Sequence, residues 1–445
     1  MFRTVLLSVA VTTAGAIPAW QDSMLIASGG GEKGPWRQNA SRYDYVDDPT
    51  VAFAPGRGLY LAWVDQRSRD VWFRRLAKDG RLGAPLNVAR SPATFSWAPR
   101  IAVDPRRPRQ VYLLWQEIIF SGGSHGGDIL FARSGDGGAS FAAPLNLSRS
   151  IGGDGKGRLD RTTWSNGSLD LAVGAGGIVI AAWTEYDGAL WIARSTNGGV
   201  TFTGARRIGG DERRPARAPS LAAGPGRTVY LAWTVGEDPE AAIRVARSID
   251  GGAAFDAPQL VAGGQGAGDA PRLAVDAAGK LHLAWAQRAG PGAPSAIRYA
   301  LAPPGGSFGA ARTLSAPYTD GGAAYPALAS DGAAGLCVLW ENLGADGRAA
   351  SLGMTVSRDG GRSFSIPATV PGSAAPPGGS NGSQQGLLGK KLAVDSDGPI
   401  AVVNSSLVPG KGSLAWLMRG ELARSAVHRR PYGSFTYFKN TNDRQ

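Results

Sequence analysis

A tryptophan that closes an apolar run recurs along the chain at a near-constant interval, and that interval constrains the fold more than any other feature. GLYLAW ends at Trp63, VYLLW at Trp115, IVIAAW at Trp183, VYLAW at Trp233, LHLAW at Trp285 and LCVLW at Trp340. The successive separations of 52, 68, 50, 52 and 55 residues suit a four-stranded propeller blade with variable loops and are too long for leucine-rich or ankyrin repeats.

Within each interval the strands follow one order. A short first strand such as PRIAVD (Pro99 to Asp104) or PRLAVD (Pro271 to Asp276) precedes the Trp-ended second strand. A third strand of the type ILFARS (Ile129 to Ser134) or IRVARS (Ile243 to Ser248) follows, and a Gly-rich turn leads into a poorer fourth strand such as PLNLSR (Pro144 to Arg149). Four consecutive strands with tight turns predict an antiparallel meander, and helical periodicity is nowhere sustained. With 65 Gly in 445 residues, about twice the usual share, the backbone can turn this often. Hydrophobic residues at 43% supply a large core, and charged residues at 18% are too few for a disordered chain.

Side chains alternate along a strand, so Val111, Leu113 and Trp115 point one way while Tyr112 and Leu114 point the other. Both faces are apolar. Such a sheet needs a neighbour on each side, which blades packed face to face around an axis provide. The slot of Tyr60, Tyr112 and Tyr230 holds His282 in the fifth unit, which predicts a packing role for that histidine.

A seventh unit is worn. KLAVDSDG (Lys391 to Gly398), PIAVVNSS (Pro399 to Ser406) and SLAWLMRG (Ser413 to Gly420) supply three strands, with Val403 at the Trp position and no fourth strand. SMLIAS (Ser23 to Ser28) has the pattern of the other fourth strands. The expectation is an all-β propeller of four-stranded antiparallel blades, seven in number or six if the last unit is a cap, with the ring closed by the N-terminal strand.

The ends differ from the middle in composition. Arg3, the apolar stretch Val5 to Ala14 and the small-x-small ending Ala14-Gly15-Ala16 read as a secretory signal over 1–19, cleaved near Ala16 or Ala19, or as an uncleaved anchor. The stretch is short for a membrane span and nothing later is apolar for long enough, so the expectation is a secreted or periplasmic protein without stable membrane insertion. The propeller is expected over 22–420. Residues 421–445 form a basic tail with Arg424, His428, Arg429, Arg430 and Lys439. The net charge of +12 is scattered rather than bunched, which argues against a nucleic-acid arm but favours acidic glycans or acidic protein surfaces. One Cys, Cys337, and three His exclude an internal disulfide and a Cys/His metal framework, and no cofactor is expected.

Four turns are near copies: SGDGGASF (Ser134 to Phe141), STNGGVTF (Ser195 to Phe202), SIDGGAAF (Ser248 to Phe255) and SRDGGRSF (Ser357 to Phe364). Asp136, Asn197, Asp250 and Asp359 can each bond backbone N–H groups across the turn, the glycines allow positive φ, and the closing Phe is expected to pack beneath its hairpin. The pattern resembles the Asp box, or bacterial neuraminidase repeat, of the sialidase superfamily of propellers. The resemblance covers some 400 residues and implies the fold. It does not fix the chemistry, since Asp-box propellers include partner-binding proteins. The first and fifth units have lost the box, at LAKDGRL (Leu76 to Leu82) and APPGGSF (Ala302 to Phe308).

A sialidase would need an arginine triad on the substrate carboxylate, a Tyr nucleophile assisted by Glu, and an Asp acid/base. The family's opening Tyr/Phe-Arg-Ile-Pro has no counterpart in DDPTVAF (Asp47 to Phe53). On this resemblance Asp65, Glu185 and Tyr325 are the catalytic candidates, with Tyr318 beside the last. Arg100, Arg217 and Arg272, at first strands, are ligand-binding candidates. Arg158, Arg161 and Trp164 in the insertion Ile151 to Asn166 are further candidates for gripping a sugar or peptide. The insertion Ser373 to Gly389 reads as flexible. The leading expectation is an exported sialidase-like propeller that binds a glycan or protein partner at its upper face without hydrolysis. An exo-sialidase with a diverged triad and a structural or assembly factor are the alternatives.

Overall fold

The computed structural model describes residues 18–422 apart from 36, 38–39, 92–93, 119–127, 150–168, 186, 238, 264–265, 316–320, 385–388 and 397. The expected signal segment before residue 18, the basic tail, Tyr318, Arg158, Arg161 and Trp164 lie outside the described residues.

The chain is a seven-bladed propeller. Six blades are meanders of four consecutive antiparallel strands. Their first and second strands are Val46–Phe53 and Leu59–Asp65 in blade I, Phe95–Asp104 and Arg107–Ile118 in blade II, and Leu169–Val173 and Val179–Thr184 in blade III. Blade IV has Ala216–Ala223 and Val229–Val235, blade V Ala267–Val275 and Leu281–Arg288, and blade VI Ala323–Ser330 and Leu336–Leu343. Blade VII takes Leu392–Val394, Pro399–Val408 and Gly412–Glu421 from the far end of the chain, and its outer strand is Met24–Gly29. The first strands line the axis, each against the first strand of the next blade.

The two apolar faces of each second strand serve two interfaces. Val111, Leu113 and Trp115 join Ala62, Val64 and Phe73 of blade I, whereas Tyr112 and Leu114 join Val179, Ala181 and Trp183 of blade III. All six repeat tryptophans are buried. His282 is fully buried, with Nδ1 2.7 Å from Tyr299 Oη; burial lowers its pKa and keeps the ring neutral.

The four box turns lie at the end of the ring where first strands turn into second strands. Ser134 Oγ donates to Asp136 Oδ1 (2.7 Å) and accepts from Gly138 N (2.8 Å), while Ser140 N donates to Asp136 Oδ1 (3.0 Å). Asn197, Asp250 and Asp359 repeat the arrangement. The closing Phe does not pack beneath its own hairpin. Phe141 meets Phe73 edge-on at 5.0 Å, Phe202 meets Phe131 at 4.8 Å and Phe364 meets Tyr299 at 4.9 Å, each on the preceding blade. The reason is space: a Cβ on Gly138 would stand 2.3 Å from the Phe73 ring, so only glycine lets the turn lean across the interface. Arginines fasten the same turns, Arg194 Nε to Gly251 O (2.6 Å) and Arg227 Nη2 to Asp250 O (3.1 Å). Much of the scattered positive charge therefore holds turns.

Closure by Met24–Gly29 buries Ile26 with Trp63, Val51, Val403 and Leu417, while Leu25 on the same strand is half exposed. Ile26→Ala should lower stability by about 2–5 kcal/mol and Leu25→Ala by under about 0.5 kcal/mol. Urea unfolding followed by tryptophan fluorescence reads both; equal losses would show that the strand does not seal the ring.

Candidate functional site

At the opposite end, where first strands begin and second strands finish, one backbone device recurs. Asp48-Pro49, Ala98-Pro99, Ala218-Pro219, Ala270-Pro271 and Tyr325-Pro326 each sit at a break in the ladder register. The residue before Pro has φ of 50°, 48°, 50°, 52° and 51° respectively. Proline cannot donate to the ladder, so it falls at a bulge, and the bulge bends the first strand next to the axis. The residues immediately after these prolines are Thr50, Arg100, Ser220, Arg272 and Ala327.

Several of these side chains lace the hub. Arg100 Nε donates to Leu169 O of blade III (3.2 Å), Asp170 Oδ2 accepts from Leu221 N of blade IV (2.8 Å), and Ser220 Oγ accepts from Leu273 N of blade V (3.1 Å). Thr50 Oγ1 donates to Lys390 O of blade VII (3.2 Å). Arg100, Asp170, Arg272 and Lys390 come from blades II, III, V and VII, yet their charges act on one another. Groups from non-adjacent blades can meet in this way only at the axis.

Three cations there face Asp170, and Asp48 acts also on Arg100 and Asp269 on Arg272. Burial, then the Arg272 charge, brings Arg100 down to about 10, so it remains charged at neutral pH. Burial lowers Arg272 and Lys390 as well, against the opposing pull of Asp170. Among the described residues the only hydrogen bond of the Arg272 guanidinium is Nη1 to Pro271 O (3.3 Å). The Lys390 ammonium has no hydrogen-bond or ion-pair partner among the described residues. Beside this cluster, Arg217 Nη2 lies 3.6 Å from Asp269 Oδ2, and Asp269 also accepts from Thr234 Oγ1 (2.9 Å). Tyr325 feels the charges of Glu341, Asp269 and Arg217; burial, then Glu341, pushes its phenol up to about 12. Glu341 is ion-paired with buried Lys391.

The candidates separate on this geometry. Arg100, Arg217, Arg272 and Tyr325 gather at the hub. Asp65 is set apart: Oδ1 accepts from Arg67 N (3.0 Å) and Ser68 N (3.5 Å) in its own turn. Glu185 accepts from Trp183 Nε1 (2.8 Å), and the same indole contact is made by Glu117, Gln287 and Asn342. The polar residue two places after each of these tryptophans thus satisfies a buried N–H. Asp170, Lys390 and Lys391 were not anticipated from the sequence, although the alignment of KLAVD with RIAVD places Lys391 opposite Arg100. Among the described residues no cluster of His, Cys, Asp or Glu could hold a metal ion, and no helix is long and apolar enough to cross a membrane.

No family model matches the sequence, and no curated protein is similar to it. Solved structures are. A polysaccharide lyase, an ulvan lyase bound to a unit of glucuronate and sulfated rhamnose, aligns with TM-score 0.56 and 12% identity over 88% of this chain and 95% of that one. The polysaccharide lyase Uly1 aligns with TM-score 0.55 and 10% identity over 91% and 99%. The Hadza microbial sialidase Hz136 aligns with TM-score 0.47 and 14% identity over 67% of this chain, which spans 63% of that protein. The chain is a seven-bladed propeller. The two lyases share its fold over nearly their whole length.

One titrating group at this end is testable through stability. Glu117 is buried and accepts from Ser96 Oγ (2.7 Å), Trp115 Nε1 (3.0 Å) and Thr94 Oγ1; burial outweighs these bonds and raises it from 4.5 to about 7. The folded state keeps a proton that the unfolded chain releases, so this group's contribution to stability falls as pH rises from 4.5 to about 7. Glu117→Gln should remove that fall, at most about 3 kcal/mol, from the pH dependence of urea midpoints. Parallel profiles for the two proteins would defeat this assignment.

Proposed function

We propose that the protein is an exported propeller that binds the acid group of a glycan on its axis and leaves the glycosidic bond intact. The observation that carries this reading is the convergence of Arg100, Arg272 and Lys390 on the shared carboxylate Asp170, with Asp48 acting also on Arg100 and Asp269, already engaged by Arg217, acting also on Arg272. Buried cations in excess of their counter-charges are costly unless an anion joins them, and a guanidinium with free N–H groups meets a carboxylate or sulfate in a matching fork. The ulvan lyase neighbour, whose ligand carries glucuronate and sulfate, supports such a ligand for a propeller of this shape.

The state of the nearby acids supports binding over hydrolysis. Asp170 is engaged by Leu221 N, Asp269 by Thr234 and Arg217, and Glu341 by Lys391. The Tyr325 phenol, at about 12, stays protonated at neutral pH and serves as a hydrogen-bond donor. A hydrolase is the second reading, favoured by the placing of Tyr325 beside Glu341 and close to Arg217, the Tyr–Glu pairing that the sialidase resemblance implies.

Titration calorimetry with galacturonate, and with galactose as the neutral control, tests the proposal. Galacturonate should bind and galactose should not, and Arg272→Ala or Lys390→Ala should each weaken binding about tenfold to a hundredfold. Equal affinity for the two sugars would sink the axial site. Turnover of a fluorogenic sialoside that disappears in Tyr325→Phe would establish the second reading in its place.

A further inference from the structure

We infer that the crevice between blades VI and VII is a second anionic subsite, so that the ligand is a polyanionic glycan with acid groups on successive sugars rather than one terminal acid sugar. This rests on the axial reading. The crevice encloses about 460 Å³ and is bounded by Leu343 and Ala349 of blade VI, Leu407 and Pro409 of blade VII, and the 378–384 segment. Both strand ends that form it belong to the upper face, and Tyr325 and Glu341 line it, so it adjoins the hub.

Its outer wall belongs to the insertion expected to be flexible. The described part, 373–384, is instead fastened at several points. Asn381 Nδ2 donates to Ser373 O (2.6 Å), Ser380 and Asn381 pair with Leu407 and Ser406, and Gln384 N donates to Asp47 Oδ2 (2.6 Å). Ser405 Oγ reaches Asp47 Oδ1 (2.5 Å) and Gly382 O (3.2 Å). A Cβ on Gly382, whose φ is 76°, would stand 2.8 Å from Glu341 Oε1, so glycine here lets the wall approach blade VI.

Two cations line this cavity, Lys33 and Arg348; burial lowers the pKa of Lys33 most, Asp47 opposes this and the nearby Arg348 charge adds to it. Neither forms a tight ion pair among the described residues. Lys33 Nζ donates to the Gln384 carbonyl, and the ion-pair partner of Arg348, Asp346, is 3.9 Å from its Nε with both side chains largely exposed. Glu341, the carboxylate of the crevice, is committed to Lys391. Asn381 Oδ1 is buried without a hydrogen-bond partner, which suits it to accept from a sugar hydroxyl. The Tyr325 phenol, with no hydrogen bond of its own among the described residues, lies between the two positions. A chain with a second acid group fits here, whereas a single acid sugar on the axis leaves the crevice unfilled.

Calorimetry at one ionic strength with galacturonate and its dimer, trimer and tetramer decides the matter. The tetramer should bind wild type at least about tenfold tighter than the monomer, a gain beyond the statistical advantage of its length. Arg348→Ala, a change at an exposed side chain, should abolish that gain and leave monomer affinity unchanged; Arg272→Ala should weaken both. Equal affinity for monomer and tetramer, or a tetramer unaffected by Arg348→Ala, overturns the second subsite while the axial site stands. Absence of binding by every member of the series defeats the axial reading and this one together.

Discussion

The whole architecture depends on a strand that is apolar on both faces. Tyr112 and Leu114 cannot be covered by the neighbour that covers Val111, Leu113 and Trp115, so each blade needs two neighbours and an open row of blades leaves two apolar faces in water. Closing the row removes both. It also explains why the end of the ring is made from the start of the chain: Met24–Gly29 completes the sheet of Gly412–Glu421 and adds Ile26 to the last interface, between blades VII and I. The box turns then add a second layer of fastening, with each Phe and Gly of a box leaning on the blade before it.

Fastening is divided unequally between the two ends of the ring. At the box end, arginines donate to turn carbonyls. At the hub end, Arg100 is partly used in lacing blade II to blade III, while Arg272 and Lys390 retain donors that no described group accepts. The same residue type thus performs a structural task at one end and leaves binding capacity at the other. Composition alone cannot make that distinction, because it depends on which carbonyls lie within reach.

The fold was legible because its signals are periodic: a buried tryptophan, a Gly-rich turn and alternating apolar positions recur at one spacing. The x-Pro bulge was equally periodic, but it falls at the start of the first strands, where the eye follows the apolar run instead. Lys390 escaped notice because blade VII lacks the tryptophan that fixes register elsewhere; the slot belongs to buried Asn404 and not to Val403 as expected, because Val403 faces blade I while the tryptophans face the preceding blade. Asp170 escaped because its blade has Leu169 where five of the others have Pro. Asp65 and Glu185 were misleading for a shared reason. A polar residue just beyond a buried strand is required by local hydrogen bonding, to a turn in the first case and to an indole in the second, and chemistry is not needed to account for it.

The hub then bears on the difference between gripping a sugar and cutting it. Cutting requires a carboxyl group able to give or take a proton and a nucleophile that can lose one. Here the carboxylates nearest Tyr325 are Asp269 and Glu341; each already has a cation, and each raises the phenol further from ionisation. Gripping requires only fixed donors whose charges are incompletely met, and the residues that follow the prolines and begin blade VII provide them. Thr50 stands where blade II has Arg100, so the first blade contributes a strap to Lys390 O rather than a third guanidinium. On the proposed reading, what remains on the axis is an anion clamp, with its acids spent on holding the clamp in place.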